Sequence, residues 1–220
     1  MNHDEQQLRE DICATGRSLF DRGYVHASAG NISVRLDDGF LITPTDACLG
    51  RMQPELLARI NNQGVQTGGE RASKTLALHR RIYDAAPEAR CVIHTHSTHL
   101  VALTLAGVWS AADILPPITP YFVMKVGHVP LIPYHRPGDP AVAELVHHRI
   151  NVSAQQGLPL RAVMLECLGP NVWHQTMAEA SAVLEELEET ARLWLLCQPR
   201  PAPLGEAQID ALRQHFGARW

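Results

Sequence analysis

Two short apolar runs that flank a tight turn place the strongest constraint on how this 220-residue chain can fold. Residues 32–36 and 40–43 are rich in aliphatic and β-branched side chains, and Asp37–Gly39 between them is typical of a β-hairpin turn. A weaker hairpin signal surrounds Asn61–Gly64. Because strands joined by short turns pair antiparallel, we expect a central sheet that is mainly antiparallel.

Helical spacing of apolar residues alternates with further short strands along the rest of the chain. Strands are predicted at 91–94, 129–132 and 161–165. Helices are predicted at 4–22, 74–85, 97–106, from Asp139 onward, at 178–197 and, after the Pro-rich stretch 198–205, at 206–215. No internal repeat or change of composition divides the sequence. We therefore expect residues 1–220 to form a single three-layer α/β/α domain.

Composition excludes several classes of protein. The apolar and charged fractions, 45% and 19%, are those of a globular chain, and the net charge of −4 gives no reason to expect nucleic acid or an anionic membrane as a partner. No run approaches the roughly 20 apolar residues of a membrane span, and the polar N-terminus lacks a secretory signal. Five widely spaced cysteines without a Cys-x-x-Cys pair indicate a reducing compartment. These features predict a cytoplasmic protein.

The strongest chemical signal is His94-Thr95-His96 at the end of the apolar run 91–94. Residues i and i+2 of a strand point to the same face, so both imidazoles can contact one cation. Neutral imidazole suits zinc, manganese, iron or cobalt. The same spacing also occurs where two histidines simply end a strand, so the pattern alone leaves both interpretations open.

Two other segments are suited to binding an anion. Ser28–Ser33 and Ile42–Thr45 bracket the first hairpin with small and hydroxyl residues, which expose backbone N–H groups. Ser73, Lys74 and Thr75 precede a helix, where N–H groups and the helix dipole favour phosphate or carboxylate. Taken alone, an ordinary turn-rich hairpin is the better explanation of the first segment, and plain helix capping explains the second equally well.

In this order, these segments resemble the class II aldolase/adducin family, which includes fuculose-phosphate aldolases and ribulose-phosphate 4-epimerases. The resemblance extends over residues 8–197. The matching blocks are 29–35, 39–45, 73–75 with Leu78, His79 and Tyr83, 92–96, and the helical segment 185–191 that follows Gly169-Pro170. Each block is weak alone, but the combination is specific.

The resemblance implies a set of functional residues and partners. His94 and His96 are the implied metal ligands, with zinc as the usual ion and manganese or cobalt as alternatives. A homotetramer with active sites at subunit boundaries is implied, in which Tyr121 reaches a neighbouring subunit's site. The positions that match the family's phosphate-binding residues are Gly30, Asn31, Thr45, Ser73 and Lys74.

Within the family, the segment 118–139 resembles the 3-oxo-tetronate 4-phosphate decarboxylases. This similarity implies metal-dependent decarboxylation of a small phosphorylated sugar acid to dihydroxyacetone phosphate and CO2 through a metal-held enediolate. The implied catalytic residues are Lys74, Thr75 and Tyr121, with Tyr121 or a metal-bound water as the proton donor. Two alternatives stay open: an aldolase or 4-epimerase acting on another small sugar phosphate, and a non-catalytic, adducin-like interaction domain.

The chain departs from the family pattern at two positions. Thr75 stands where family aldolases have a catalytic glutamate, and Leu168 stands where they have a third metal-binding histidine. The loss of the acid favours a decarboxylase, because departure of CO2 leaves an electron pair and no base is needed to remove a C–H proton. Replacements for the third ligand are sought first at His128 and His174, then at Glu166 and His135.

Overall fold

An eight-stranded mixed sheet forms the centre of the protein, in a computed structural model that describes residues 3–220. The strand order is β4-β3-β2-β1-β5-β8-β7-β6. Six of the seven neighbouring pairs are antiparallel, and β6 and β7 are parallel. The strands are β1 Asn31–Leu36, β2 Gly39–Ile42, β3 Ala58–Asn61, β4 Gln66–Gly68, β5 Cys91–His94, β6 Leu131–Ile132, β7 Ala162–Leu165 and β8 Gly169–His174.

Five of the six α-helices within residues 3–220 cover the two faces of the sheet, and α6 packs against the segment Phe122–Val126. Helices α1, α3 and α5 pack on one face, and α2 and α4 pack together on the other. The predicted α/β/α layering with a mainly antiparallel sheet is therefore confirmed. The helices are α1 His3–Asp21, α2 Leu76–Ala85, α3 Thr98–Ala106, α4 Pro140–Gln155, α5 Met177–Leu196 and α6 Glu206–Phe216. Within residues 3–220, none of these helices has the length and apolar character needed to cross a bilayer.

Both predicted hairpins form. Strands β1 and β2 pair from Ser33↔Ile42 to Leu36↔Gly39, and β3 and β4 pair around the second turn. Ile32 and Val34 pack into the core beneath α1, α3 and α5, whereas Ser33 faces α2. Apolar and polar residues alternate in β1 because its two faces pack against different helices. Neither face of the strand is in solvent at these positions.

Strand β5 carries the histidine pair and is buried along its whole length. Cys91 and Ile93 contribute to the core on the α1, α3 and α5 side, and Val92 contributes to the core on the α2 and α4 side. Because side chains alternate along a strand, His94 also lies on the α2 and α4 side. Position 94 is the last residue of the strand, so its ring lies where the sheet opens towards the loops.

Strand β8 and the π-helical segment Phe122–Val126 were not predicted. Strand β8 begins with Gly169 and Pro170, which disfavour strands, and only Val172 and Trp173 have high strand propensity. Its position between β5 and β7 supplies backbone partners on both sides. Tertiary pairing therefore outweighs the weak local preference.

The segment that follows the histidine pair is fixed by one buried carboxylate. Glu188 on α5 accepts hydrogen bonds from the backbone N–H groups of His99 and Leu100 at 3.0 and 3.1 Å, and from Nδ1 of His99 at 2.8 Å. These N–H groups belong to the first turn of α3 and have no partner within that helix. Glu188 thus caps α3 from a neighbouring helix and fixes the start of α3 just after His96.

We predict that Glu188→Ala lowers the free energy of unfolding by about 2–4 kcal/mol, because three donors lose their acceptor in a buried environment. Glu189→Ala is the matched control: its carboxylate is exposed and pairs only with Arg192, so the expected change is within about 0.5 kcal/mol. Urea unfolding followed by circular dichroism measures both variants. Equal effects would contradict the capping role.

Candidate active site

His94 is held in a single orientation by the backbone of β8. Its Nδ1 lies 2.8 Å from the carbonyl oxygen of Pro170, and the ring is almost fully buried. A carbonyl oxygen can only accept a hydrogen bond, so Nδ1 carries the proton and Nε2 keeps its lone pair. A metal-binding histidine needs this tautomer when Nε2 is the ligand atom.

His96 lies beside His94 with geometry suited to sharing one ion. The two ring centroids are 5.0 Å apart with an interplanar angle of 69°. Two imidazoles that bind one tetrahedral ion at nitrogen–metal distances of about 2.0–2.1 Å have centroids about 5 Å apart. The pair therefore fits a divalent transition metal as two of its ligands.

The surroundings of both rings favour the neutral form that binds metals. Burial, followed by the neighbouring His96, lowers the pKa of His94 to about 4, against the opposing effect of the hydrogen bond to Pro170. The pKa of His96 is lowered by burial and then by the proximity of His26. Near neutral pH neither ring needs to lose a proton before it can bind a cation.

Two buried amides flank His94 across the sheet. Asn31 of β1 and Asn171 of β8 are the direct register partners of His94, so all three side chains lie on one face. Asn31 Oδ1 and both amide atoms of Asn171 have no hydrogen-bond partner among residues 3–220. Buried polar groups rarely stay unpaired, so these amides are oriented to bind a ligand or water beside His94. Asn31 was predicted from the sequence and Asn171 was missed.

The predicted anion-binding segments are brought together by backbone hydrogen bonds. Ser73 N–H donates to the carbonyl oxygen of Thr43 at 3.2 Å, and Thr45 N–H donates to that of Arg71 at 2.9 Å. Thr75 precedes α2, with its Oγ1 2.9 Å from Ser73 Oγ. Two loops distant in the sequence therefore present hydroxyl groups and a helix N-terminus together.

Gly30 lets this region approach His94 closely. Its φ is +85°, and a Cβ atom added there would lie 2.9 Å from the carbonyl oxygen of His94 and 2.8 Å from Val25 Cγ1. Any side chain at position 30 would therefore displace the backbone at His94. This contact explains the glycine without requiring it to bind phosphate itself.

A cavity of about 750 Å³, including space open to solvent, lies in front of His94. Lys74, Thr75, His135 and Glu166, all of which the sequence analysis singled out, line this cavity together with His94. The sequence analysis missed Arg136, and Leu168 forms an apolar part of the wall.

Two of the suggested third metal ligands lie far from the pair. His174 pairs with Cys91 at the opposite end of β5, which places it about 10 Å from His94 at about 3.3 Å per residue. His128 precedes the edge strand β6, binds Asp113 through Nδ1 at 2.8 Å and stacks on Trp220. The structure therefore brings neither residue to the histidine pair.

The other two suggestions lie in the cavity but have partners of their own. Glu166 Oε2 accepts a hydrogen bond from the backbone N–H of Tyr134 at 2.8 Å, and His135 Nδ1 donates to the carbonyl oxygen of Pro133 at 2.7 Å. Among residues 3–220, no three histidine, cysteine or carboxylate side chains are already arranged around one point as metal ligands. A further imidazole close to the pair is that of His26, whose centroid is 6.4 Å from that of His96. The sequence analysis missed His26 because it belongs to no motif.

A third histidine, His79, is fully buried behind the site. Its Nδ1 lies 2.7 Å from Ser33 Oγ, which is also 2.9 Å from the hydroxyl of Tyr83. Burial, and then the nearby His94, lowers the pKa of His79 to about 3. This group therefore stays neutral in the folded protein and fixes the position of α2 against β1.

We predict that Gly30→Ala lowers the free energy of unfolding by about 1–3 kcal/mol more than Gly23→Ala, the expected excess for overpacking. Both glycines have positive φ, but nothing lies within 4 Å of a Cβ added at Gly23, so that variant reports backbone strain alone. Urea unfolding measures the difference. Equal losses of stability would show that the close approach to His94 is unimportant.

We also predict that the metal-free protein loses stability as the pH falls. The unfolded histidines bind a proton near pH 6.5, whereas His79 and His94 resist protonation until about pH 3 and pH 4 in the folded state. Their contribution is therefore complete above pH 6.5 and is lost below it, at up to about 1.4 kcal/mol per pH unit for each ring. Urea unfolding between pH 7.5 and pH 5 measures the slope. His79→Gln should reduce this slope by up to about 1.4 kcal/mol per pH unit, which is the contribution of one proton. An unchanged slope would show that His79 does not contribute to the loss of stability.

Known proteins similar to this chain cover almost its full length. Residues 10–195 match the Class II Aldolase and Adducin N-terminal domain. A 3-oxo-tetronate 4-phosphate decarboxylase from Cupriavidus necator is 57% identical over 221 residues, which cover 98% of this chain and 99% of that protein. A protein of the same name from Escherichia coli is 38% identical over 198 residues, with 90% of each chain covered.

Solved structures agree with this result. A putative aldolase/epimerase/decarboxylase from Klebsiella pneumoniae superposes with a TM-score of 0.85 at 40% identity, covering 95% of this chain and 99% of that one. The l-fuculose-1-phosphate aldolase from Thermus thermophilus superposes with a TM-score of 0.71 at 27% identity, covering 86% and 92%. The chain therefore belongs to the class II aldolase/adducin family.

Proposed function

We propose that this protein decarboxylates a 3-oxo-tetronate 4-phosphate to dihydroxyacetone phosphate and CO2. The observation that carries the proposal is the cavity in which Lys74 and Arg136 lie in the same wall as the buried His94. The names of the relatives at 57% and 38% identity support the same substrate class. A substrate with a carboxylate and a phosphate at opposite ends requires cationic groups and backbone donors in one site.

We propose that His94 and His96 hold a divalent metal, with zinc as the first candidate and manganese or cobalt as alternatives. The free Nε2 of His94, the spacing of the two rings and their low basicity support this assignment. When bound, the ion would act as a Lewis acid that stabilises negative charge on the substrate's carbonyl oxygen. Residues of the chain would bind and orient the substrate and deliver the proton.

Positive and dipolar groups would orient the two anionic ends of the substrate. Lys74 immediately precedes Thr75 and α2, so its charge adds to the positive end of the helix dipole. Ser73 and the N–H groups at the start of α2 would bind phosphate oxygens, with Gly30, Asn31 and Thr45 completing the phosphate site. Arg136 would bind the opposite end of the substrate, since it lines the cavity from a different segment, the loop between β6 and α4.

The uncharged residue at position 75 suits the proposed reaction. When the bond between C2 and the carboxylate breaks, its electron pair stays on C2 and CO2 departs, so no base has to remove a C–H proton. The electron pair is then neutralised by a proton delivered to C2. A carboxylate at position 75 would repel the substrate's own carboxylate, whereas Thr75 does not.

We propose that Tyr121 delivers this proton to the site of a neighbouring subunit in a homotetramer. Its side chain is 61% exposed and does not line the cavity of its own chain, so any contact with substrate must be made in another copy. Tyr134, which precedes the cavity residue His135, is similarly exposed at 62%. Exposed aromatic residues are typical of surfaces that contact another subunit.

We further propose that the protein acts in the cytoplasm. All five cysteines are free in the structure, and Cys91 is fully buried, which suits a reducing compartment. Small phosphorylated sugar acids are also substrates of intracellular metabolism because their charge prevents passive passage across a membrane.

The direct test is release of CO2 from a 3-oxo-tetronate 4-phosphate by metal-loaded protein, with dihydroxyacetone phosphate measured as the second product. Equimolar products are expected. Retro-aldol cleavage of fuculose phosphate without CO2 release would instead favour an aldolase or epimerase. The absence of both activities, together with no bound metal, would favour a non-catalytic, adducin-like domain.

We predict that Lys74→Met lowers kcat/KM for this reaction by about 100-fold, because a charge-assisted hydrogen bond to an anion contributes up to about 3 kcal/mol. Lys125→Met is the matched control, since these are the two lysines of the chain and Lys125 lies on the exposed side of the π-helical segment. Its kcat/KM should stay within about twofold of the original value. A similar loss in both variants would contradict the role of Lys74.

A further inference from the structure

His26 is an exposed histidine with a free side chain next to the proposed metal site. It lies in the loop between α1 and β1, and its ring centroid is 6.4 Å from that of His96 at an interplanar angle of 74°. Its backbone carbonyl accepts a hydrogen bond from Ala29, but its ring has no hydrogen-bond partner among residues 3–220. Both ring nitrogens are therefore available to a ligand.

The position of His26 coincides with the gap in the metal site. His26, His96, Cys167 and Leu168 line one shallow cavity, and Leu168 also lines the cavity in front of His94. Position 168 is where the family pattern has its third metal-binding histidine. His26 thus faces the space that the missing imidazole would occupy, but reaches it from a different loop.

We propose that His26 is the third protein ligand of the metal, together with His94 and His96, and that it replaces the imidazole lost at position 168. This inference rests on the metal-binding part of the proposed function. Three imidazoles with one open position form a known type of catalytic zinc site. No residue assigned to the phosphate or proton-transfer steps takes part in the replacement.

The separation of His26 from His96 requires only a small movement of the His26 ring. The two centroids are 6.4 Å apart, about 1.4 Å more than the spacing of about 5 Å expected for two ligands of one tetrahedral ion. The side chain is exposed and without partners, so it can change its rotamer when the ion binds. This explains why His26 ligates only in the metal-bound state, while the apo arrangement contains no complete set of three ligands.

Cys167 is the main competitor, since its thiol is free and lines the same cavity. Its backbone is held in the left-handed region at φ +60°, and its N–H donates to Thr104 Oγ1 at 3.1 Å. These two constraints restrict how far position 167 can move, whereas the His26 ring rotates about its own side-chain bonds. We therefore assign the ligand to His26.

Binding of Co²⁺ to the purified protein tests the assignment. Affinity is measured by competition with a chelator, and the visible d–d absorption reports the number of protein ligands. His26→Ala should weaken Co²⁺ binding by more than about 100-fold and should alter the absorption. Loss of a residue that only hydrogen bonds to a ligand would weaken binding by about 10–100-fold. His148→Ala, which removes an exposed histidine of α4, is the matched control and should change neither quantity.

A second background separates ligation from a structural effect. In Leu168→His the family imidazole is restored, so adding His26→Ala should weaken Co²⁺ binding by no more than about tenfold. The proposal that His26 replaces the imidazole lost at position 168 would be overturned if His26→Ala had an equally large effect in both backgrounds. Unchanged Co²⁺ binding by His26→Ala in the original background would also overturn it.

Loss of binding in Cys167→Ala but not in His26→Ala would assign the ligand to the thiol instead. Failure of the original protein to bind Co²⁺ would overturn both this inference and the metal-dependent function, whereas unchanged binding in His26→Ala would overturn the inference alone.

Discussion

The antiparallel register of β5 between β1 and β8 is the constraint on which the site depends. It places His94 level with Asn31 on one side and Asn171 on the other, and it brings the Pro170 carbonyl to Nδ1 of His94. A shift of one residue would turn the imidazole towards α1, α3 and α5, into an apolar core. The chemistry at the end of β5 is therefore fixed by backbone pairing along the whole strand, rather than by contacts between the reactive side chains alone.

The loops around this strand are fixed in a similar way. The segment around Thr43–Thr45 is hydrogen bonded to Arg71–Ser73, and Gly30 lies against the backbone of His94. Their side chains are short, so the backbone determines where the hydroxyl and N–H groups point. Glu188 performs the same function behind His96 by fixing the first turn of α3. A site built in this way loses little side-chain entropy when a small anionic ligand binds.

Much of this arrangement can be predicted from the sequence, because the signals are local. The hairpins, the six helices and the strand that carries His94 each show a characteristic period or turn, and the bounds agree to within a few residues. Strand β8 could not be predicted, since Gly169 and Pro170 argue against a strand and only pairing with β5 and β7 makes it one. Asn171 was missed together with its strand, and His26 was missed because its closeness to His96 depends on how the α1–β1 loop folds back over the end of β5.

Leu168 has a consequence for the electrostatic environment of the cavity. It lines both the cavity of His94 and the shallow cavity of His26 and His96, so it presents hydrocarbon to each of them. A carboxylate placed against hydrocarbon loses part of its hydration, whereas CO2 is neutral and loses very little. For the proposed substrate, this apolar surface would raise the free energy of the bound carboxylate relative to the CO2 that leaves. A leucine at position 168 would thereby favour the release of CO2.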